Sequence, residues 1–242
     1  MIKKYFTIVL LIASLILNAQ SESDTITSPV RDCKDLIFPS VISLTGVTIQ
    51  LTGKKREFQN FLHREIGKTD TKIDNYVQYL PAIQVVAGGF VGLRSDYHWF
   101  ERTKYLLISQ AISSILTVSL KYITHVQRPD DGSFNSFPSG HTNLTFVGAE
   151  NLYQAYKGSS PLYAYSGYVI GVTVATLRMT NNKHWLSDVA FGAGMGMLVS
   201  RLVYHWKPLK NWNPFRKKKN IAMIVVPVYS GEYLGASMQI SF

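Results

Sequence analysis

Arg178-Met179-Thr180-Asn181-Asn182-Lys183-His184-Trp185-Leu186-Ser187-Asp188 separates two apolar runs, Gly158–Leu177 and Val189–Ser200, and neither run holds a charged residue. A short polar segment between two such runs reads as the turn joining two buried helices, with its charged groups gathered at one end of them. Working outward, Leu36–Gly53, Asn75–Leu93 and Tyr105–Leu120 are also free of charge. His141 to Tyr156 has helical length but carries Asn143, Glu150 and Gln154, so one side of it must face protein or water. The pattern predicts six stretches of helical length, which either span a bilayer or lie buried in a soluble domain. Gly88 and Gly92, and again Gly192 and Gly196, have the four-residue spacing that lets helices approach closely.

The chain has 242 residues and a formal charge of +10, with 17% charged residues and 46% hydrophobic ones. That excludes a disordered charged tail protein. Mean hydropathy is only +0.05, which leaves room for an exported soluble helical enzyme. The basic excess sits in Lys3 and Lys4, in 54–72 and in Lys207–Lys219. Basic blocks beside apolar runs suit membrane anchoring and anionic headgroups, and no nucleic-acid partner is expected. The single cysteine, Cys33, rules out an intramolecular disulfide framework.

Lys3 and Lys4 precede an apolar run from Tyr5 to Leu17, so residues 1–20 read as an export signal or an uncleaved anchor. A domain over 21–206 follows, then a basic linker, 207–219. The end of the chain, 220–242, reads as a small β-hairpin of Ala222–Tyr229 and Tyr233–Phe242 around Ser230-Gly231-Glu232. If every charge-free stretch crossed a bilayer, Lys121 would fall on the inner side. Leu36–Gly53, with Pro39, is the stretch expected not to cross.

Three clusters carry chemistry: Lys121 with Arg128-Pro129, then Pro138-Ser139-Gly140-His141, then Arg178 with His184 and Asp188. Together they supply three cations, two histidines, a carboxylate and a helix start. Phosphoryl transfer needs this set, because charge on the transferred group must be held and neutralised. Lys121, Arg128 and Arg178 would do that, with Ser139 and the Gly140 and His141 amides adding donors. His184 is placed to attack phosphorus, and Asp188, at i+4 on one helix face, to orient it. His141 would protonate the leaving oxygen and then activate water. No metal or other cofactor is called for, since side chains do the charge work.

In order and spacing these residues resemble the type 2 phosphatidic acid phosphatase (PAP2) superfamily, with its Lys-x6-Arg-Pro, Pro-Ser-Gly-His and Ser-Arg-x5-His-x3-Asp. The one departure is Leu177, where the pattern has Ser. The resemblance covers about residues 75–205. It implies an all-α bundle of five or six core helices embedded in a membrane and a phosphohistidine on His184, with Asp188 orienting it and His141 as acid and base. It implies phosphate binding by Lys121, Arg128, Ser139, Gly140 and Arg178. His125 and Trp185 fall outside the motif and read as pocket or interface residues.

The implied activity is hydrolysis of phosphate monoesters or pyrophosphates, of lipids first, at a bacterial-type inner membrane with the site facing the periplasm. A soluble periplasmic acid phosphatase for small phosphomonoesters is one alternative. A catalytically silent membrane protein that holds a phosphate headgroup is another.

Overall fold

The computed structural model describes residues 34–130, 132–206, 208–209 and 212, and the strand residues 222–229 and 234–241. The export signal, Cys33, most of the basic linker and the hairpin turn lie outside the described residues. The chain divides into two compact units between Lys210 and Asn211.

Among the described residues the first unit holds eight helices: α1 (Lys34–Thr52), α2 (Lys55–Glu65), α3 (Asp74–Val77), α4 (Leu80–Phe90), α5 (Trp99–Thr124), α6 (Gly140–Tyr156), α7 (Pro161–Thr180) and α8 (Leu186–His205). The second unit is a two-stranded antiparallel sheet. Its strands β1 (Ala222–Tyr229) and β2 (Leu234–Ser241) run in register from Ala222 opposite Ser241 to Tyr229 opposite Leu234.

Eight helices replace the expected five or six for two reasons. The basic 54–72 segment folds its first half into α2, whose Gln59 side chain donates to the Met179 carbonyl at 2.8 Å. The charge-free stretch Asn75–Leu93 is not one helix but α3 and α4. Pro81, in the first turn of α4, starts a new helix, because its missing N–H costs nothing there. Gly92, at φ +80°, lies past the end of α4. A Cβ on Gly92 would meet nothing within 4 Å, so the Gly88–Gly92 spacing is not a packing motif. Gly88 alone packs, against Tyr156.

Among the described residues three helices, α1, α5 and α8, are long and apolar enough to cross a bilayer, fewer than the five or six expected in the membrane. α1 is the stretch that was expected not to cross, while α4, with 11 residues, falls short. Most of the α5 surface is left uncovered, with Leu107, Ile115 and Val118 exposed, whereas α8 is largely enclosed.

α6 and α8 form the centre. α6 packs against α4, α5, α7 and α8, and α8 packs against α1 as well. Contact is close where α8 is smooth: a Cβ on Gly192 would lie 2.8 Å from the Ser139 carbonyl, and one on Gly196 2.8 Å from that of Asn143. The polar residues of α6 face protein. Glu150, fully buried, accepts from Arg201 Nε at 2.8 Å and from the Tyr168 hydroxyl at 2.6 Å. Asn143 accepts from Ser113 Oγ and donates to the Gly192 carbonyl. These bonds offset the desolvation of polar groups that a bilayer-facing surface would leave unpaired.

Candidate active site

The α5 C-terminus, the α6 N-terminus and the α7–α8 turn meet at one end of the bundle. Thr124, in the last turn of α5, donates to the Phe137 carbonyl at 3.2 Å, and the Ser139 amide donates to the Asp188 carbonyl at 3.0 Å. The first bond ties the end of α5 to the segment before α6, and the second joins the starts of α6 and α8.

His184 and Asp188 do not share a helix face. α8 begins at Leu186, so His184 lies in the turn before it. The reason is a cap: Asp188 Oδ2 accepts the Trp185 amide at 2.9 Å and ends the turn there. The same oxygen accepts Ser136 Oγ at 2.5 Å and lies 3.5 Å from His184 Nδ1. His184 is 2% exposed. Burial pushes its pKa down to about 4, against the opposing pull of Asp188. The ring is therefore neutral at pH 7. With Nδ1 turned to a carboxylate, the proton belongs on that nitrogen and the lone pair on Nε2.

His141, in the first turn of α6, directs Nε2 at Asn75 Oδ1, 2.8 Å away. Its pKa is also lowered to about 4, by burial first and then by the charge of Arg178, with Arg128 and Lys121 adding to it. Asp74 opposes the shift. One imidazole thus feels all three cations.

Each cation is positioned by polar contacts from elsewhere in the chain. Arg178 Nη1 pairs with Asp74 Oδ2 at 2.6 Å, both side chains buried. Arg178 Nε is buried with no hydrogen-bond partner among the described residues. Asn181 helps to clamp the segment 69–74 onto the end of α7, donating to the Thr71 carbonyl and accepting from Thr69 Oγ1. Lys121 Nζ donates to the Asn135 carbonyl at 2.5 Å, and Arg128 Nε to Asn135 Oδ1 at 2.9 Å. Burial, followed by the charge of Arg178, lowers the pKa of Arg128. Like charges are thus gathered where an anion would relieve them.

Ser139 is fully buried, and its hydroxyl pairs with Thr142 Oγ1 at 3.0 Å. Its own amide is occupied by Asp188. At Gly140 there is open space, since a Cβ would meet only Thr117 Cγ2, at 3.8 Å. Lys183 pairs with Asp130 at the rim, half-exposed. Trp185 is buried and donates Nε1–H to the Gln127 carbonyl. His125 caps α5 in a left-handed conformation and is exposed. Among the described residues, no group of three or more His, Cys, Asp or Glu side chains is placed to hold a metal ion.

Sequence reasoning missed Asp74, Asn75, Asn135 and Ser136. Asp74 and Asn75 stand at the edge of an apolar run, which is a weak signal, and their partners are 104 and 66 positions away. Asn135 and Ser136 sit just before the Pro-Ser-Gly-His segment, where polar density alone could have drawn notice.

Residues 102–212 match the PAP2 superfamily. A lipid A 1-phosphatase of Porphyromonas gingivalis is 36% identical over 143 residues, which are 57% of this chain and 31% of that protein. The chain therefore spans about a third of the length of this curated relative. No solved structure matches it. The matched segment holds Lys121, Arg128, Ser139, Gly140, His141, Arg178, His184 and Asp188.

Proposed function

We propose that this protein is a phosphatase that removes phosphate from a lipid through a phosphohistidine on His184, without a metal ion. The observation that carries the reading is a buried His184 whose Nδ1 faces Asp188, set beside three cations, of which Arg178 keeps a buried Nε with no hydrogen-bond partner among the described residues.

The scissile phosphate lies among Lys121, Arg128 and Arg178, with the Ser139 hydroxyl and the Gly140 amide as further donors. His184 Nε2 gives its lone pair to phosphorus as the bond to the leaving oxygen breaks. His141, which takes up a proton as the dianionic substrate binds, gives that proton to the oxygen. His141 then takes a proton from water, whose oxygen attacks phosphorus as the N–P bond breaks, so phosphate leaves and both imidazoles return to their starting state. Asp188 holds the tautomer and stabilises the charge that develops on His184. A bound dianion draws the His141 pKa upward, because it offsets the three cations that lower it.

The lipid part of the reading rests on α1, α5 and α8, each long and apolar enough to span a bilayer, and on the lipid phosphatase relative. On this proposal the protein sits in an inner membrane with its site toward the periplasm. Lipid A, named in that relative's activity, is the first substrate to test.

The test is phosphate release by purified protein in EDTA from lipid A, phosphatidic acid and a soluble aryl phosphate. Both lipids are hydrolysed faster than the aryl ester, and a quenched reaction leaves acid-labile, base-stable phosphate on the protein. His184→Ala abolishes both signals. Preference for the aryl ester sinks the lipid reading, loss of activity in EDTA sinks the metal-free one, and an active His184→Ala sinks the mechanism.

A further inference from the structure

A second polar cavity, of about 310 Å³, adjoins the site and is not used by the mechanism above. One face of α2 forms a wall, with Arg56, Gln59, Asn60 and His63 at the i, i+3, i+4, i+7 spacing of a single helical stripe, and Lys68 follows. The opposite wall is Pro129, Asn182 and Trp185. These are neighbours of site groups: Pro129 follows Arg128, and Trp185 follows His184.

The cavity is basic by construction. None of its lining residues is acidic, and neither Arg56 nor Lys68 has an acidic partner among the described residues. α2 is tied to the site end of the bundle. The buried Gln59 donates to the Met179 carbonyl at 2.8 Å and to Asn182 Oδ1 at 3.1 Å, while His63 Nε2 lies 3.3 Å from the same carbonyl. The stripe is thus fixed against the α7–α8 turn that carries His184.

We infer that this cavity is a specificity subsite for a second acidic group on the substrate, a phosphate or carboxylate separated from the scissile phosphate by a polar spacer. The inference rests on the proposed phosphatase reading for what occupies the main site. Arg56 and Lys68 supply the charge, and Asn60 and His63 supply polar contacts suited to a hydroxylated spacer. A substrate with one phosphate leaves the cavity unused.

Equilibrium binding in neutral detergent micelles tests this without turnover. The probes are short-chain phosphatidic acid, with one acidic headgroup, and short-chain phosphatidylglycerol phosphate, whose two acidic groups are separated by glycerol. His184→Ala protein binds the second lipid about tenfold more tightly than the first, the scale of two charge-assisted contacts at a partly open site. Adding Arg56→Gln and Lys68→Gln removes the difference and leaves phosphatidic acid binding unchanged. Equal affinities before the added substitutions, or an equal loss for both lipids after them, overturns the subsite. A loss confined to micelles doped with phosphatidylglycerol overturns it in favour of a patch for neighbouring anionic lipids. If the native protein releases no phosphate from either lipid yet the binding difference and its loss are seen, the subsite stands and the phosphatase reading fails.

Discussion

Asp74 tests how the site is held together. It is 1% exposed, and its Oδ2 lies 2.6 Å from Nη1 of Arg178, itself 7% exposed. Replacing Asp74 with Ala leaves a guanidinium buried with neither Nη1 nor Nε paired. Removing one partner of a buried ion pair costs about 3–5 kcal/mol, because the remaining charge loses its compensation while staying out of water. For a protein of this size that is roughly 6–20 °C in melting temperature. Asp74→Asn keeps an oxygen that can accept from Arg178, so its cost is smaller, about 1–3 kcal/mol.

The two variants separate structure from catalysis when melting is read with and without inorganic phosphate in detergent. Phosphate supplies the missing anion on the other side of Arg178, so it stabilises Asp74→Ala more than the native protein. Turnover falls in both variants, because Arg178 loses its anchor. An Asp74→Ala protein that melts within about 2 °C of native, with native turnover, refutes the claim that Asp74 positions Arg178. A variant that melts far lower but gains no more from phosphate than native refutes the idea that Arg178 faces the phosphate.

Asn75→Ala removes the acceptor that faces His141 Nε2; kcat falls about tenfold or more, within the range for a misplaced general acid, while Asn75→Asp recovers part of it, and unchanged kinetics and pH profile would show that Asn75 is incidental. The burial-lowered pKa of His184, about 4 against 6.5 in the unfolded chain, means that the unfolded state binds the proton first as pH falls. Stability from this group is therefore full above pH 6.5 and is lost progressively down to about 4. His184→Gln flattens that part of the melting profile, and an unaltered slope counts against a neutral buried ring. Gly192→Val forces a side chain into the 2.8 Å gap to the Ser139 carbonyl; overpacking costs about 1–3 kcal/mol, and activity drops because Pro138–His141 must shift, whereas native melting and turnover would show that the gap yields freely.

The helices around the site were legible because apolar runs and polar breaks report burial directly: α6, α7 and α8 lie close to His141–Tyr156, Gly158–Leu177 and Val189–Ser200. The eight motif residues stood out because a phosphate-binding site restricts residue type and spacing, and their catalytic roles belong to the proposed function. Lys121 and Arg178 act electrostatically on both histidines, and Arg128 acts on His141.

The sequence by itself determined the helical class, the polar end of the bundle and the identity of the groups available there. Only the tertiary structure decided what holds those groups. It moved His184 off α8, because Asp188 spends its carboxylate on the Trp185 amide as well as on the histidine. It brought Asp74 and Asn75 from before α4 to Arg178 and His141. It also folded part of the basic 54–72 excess into α2, the wall of a cavity, rather than leaving it as an undifferentiated flank. Periodicity records which face of an element is buried, and it carries no information on which distant polar group will meet it there.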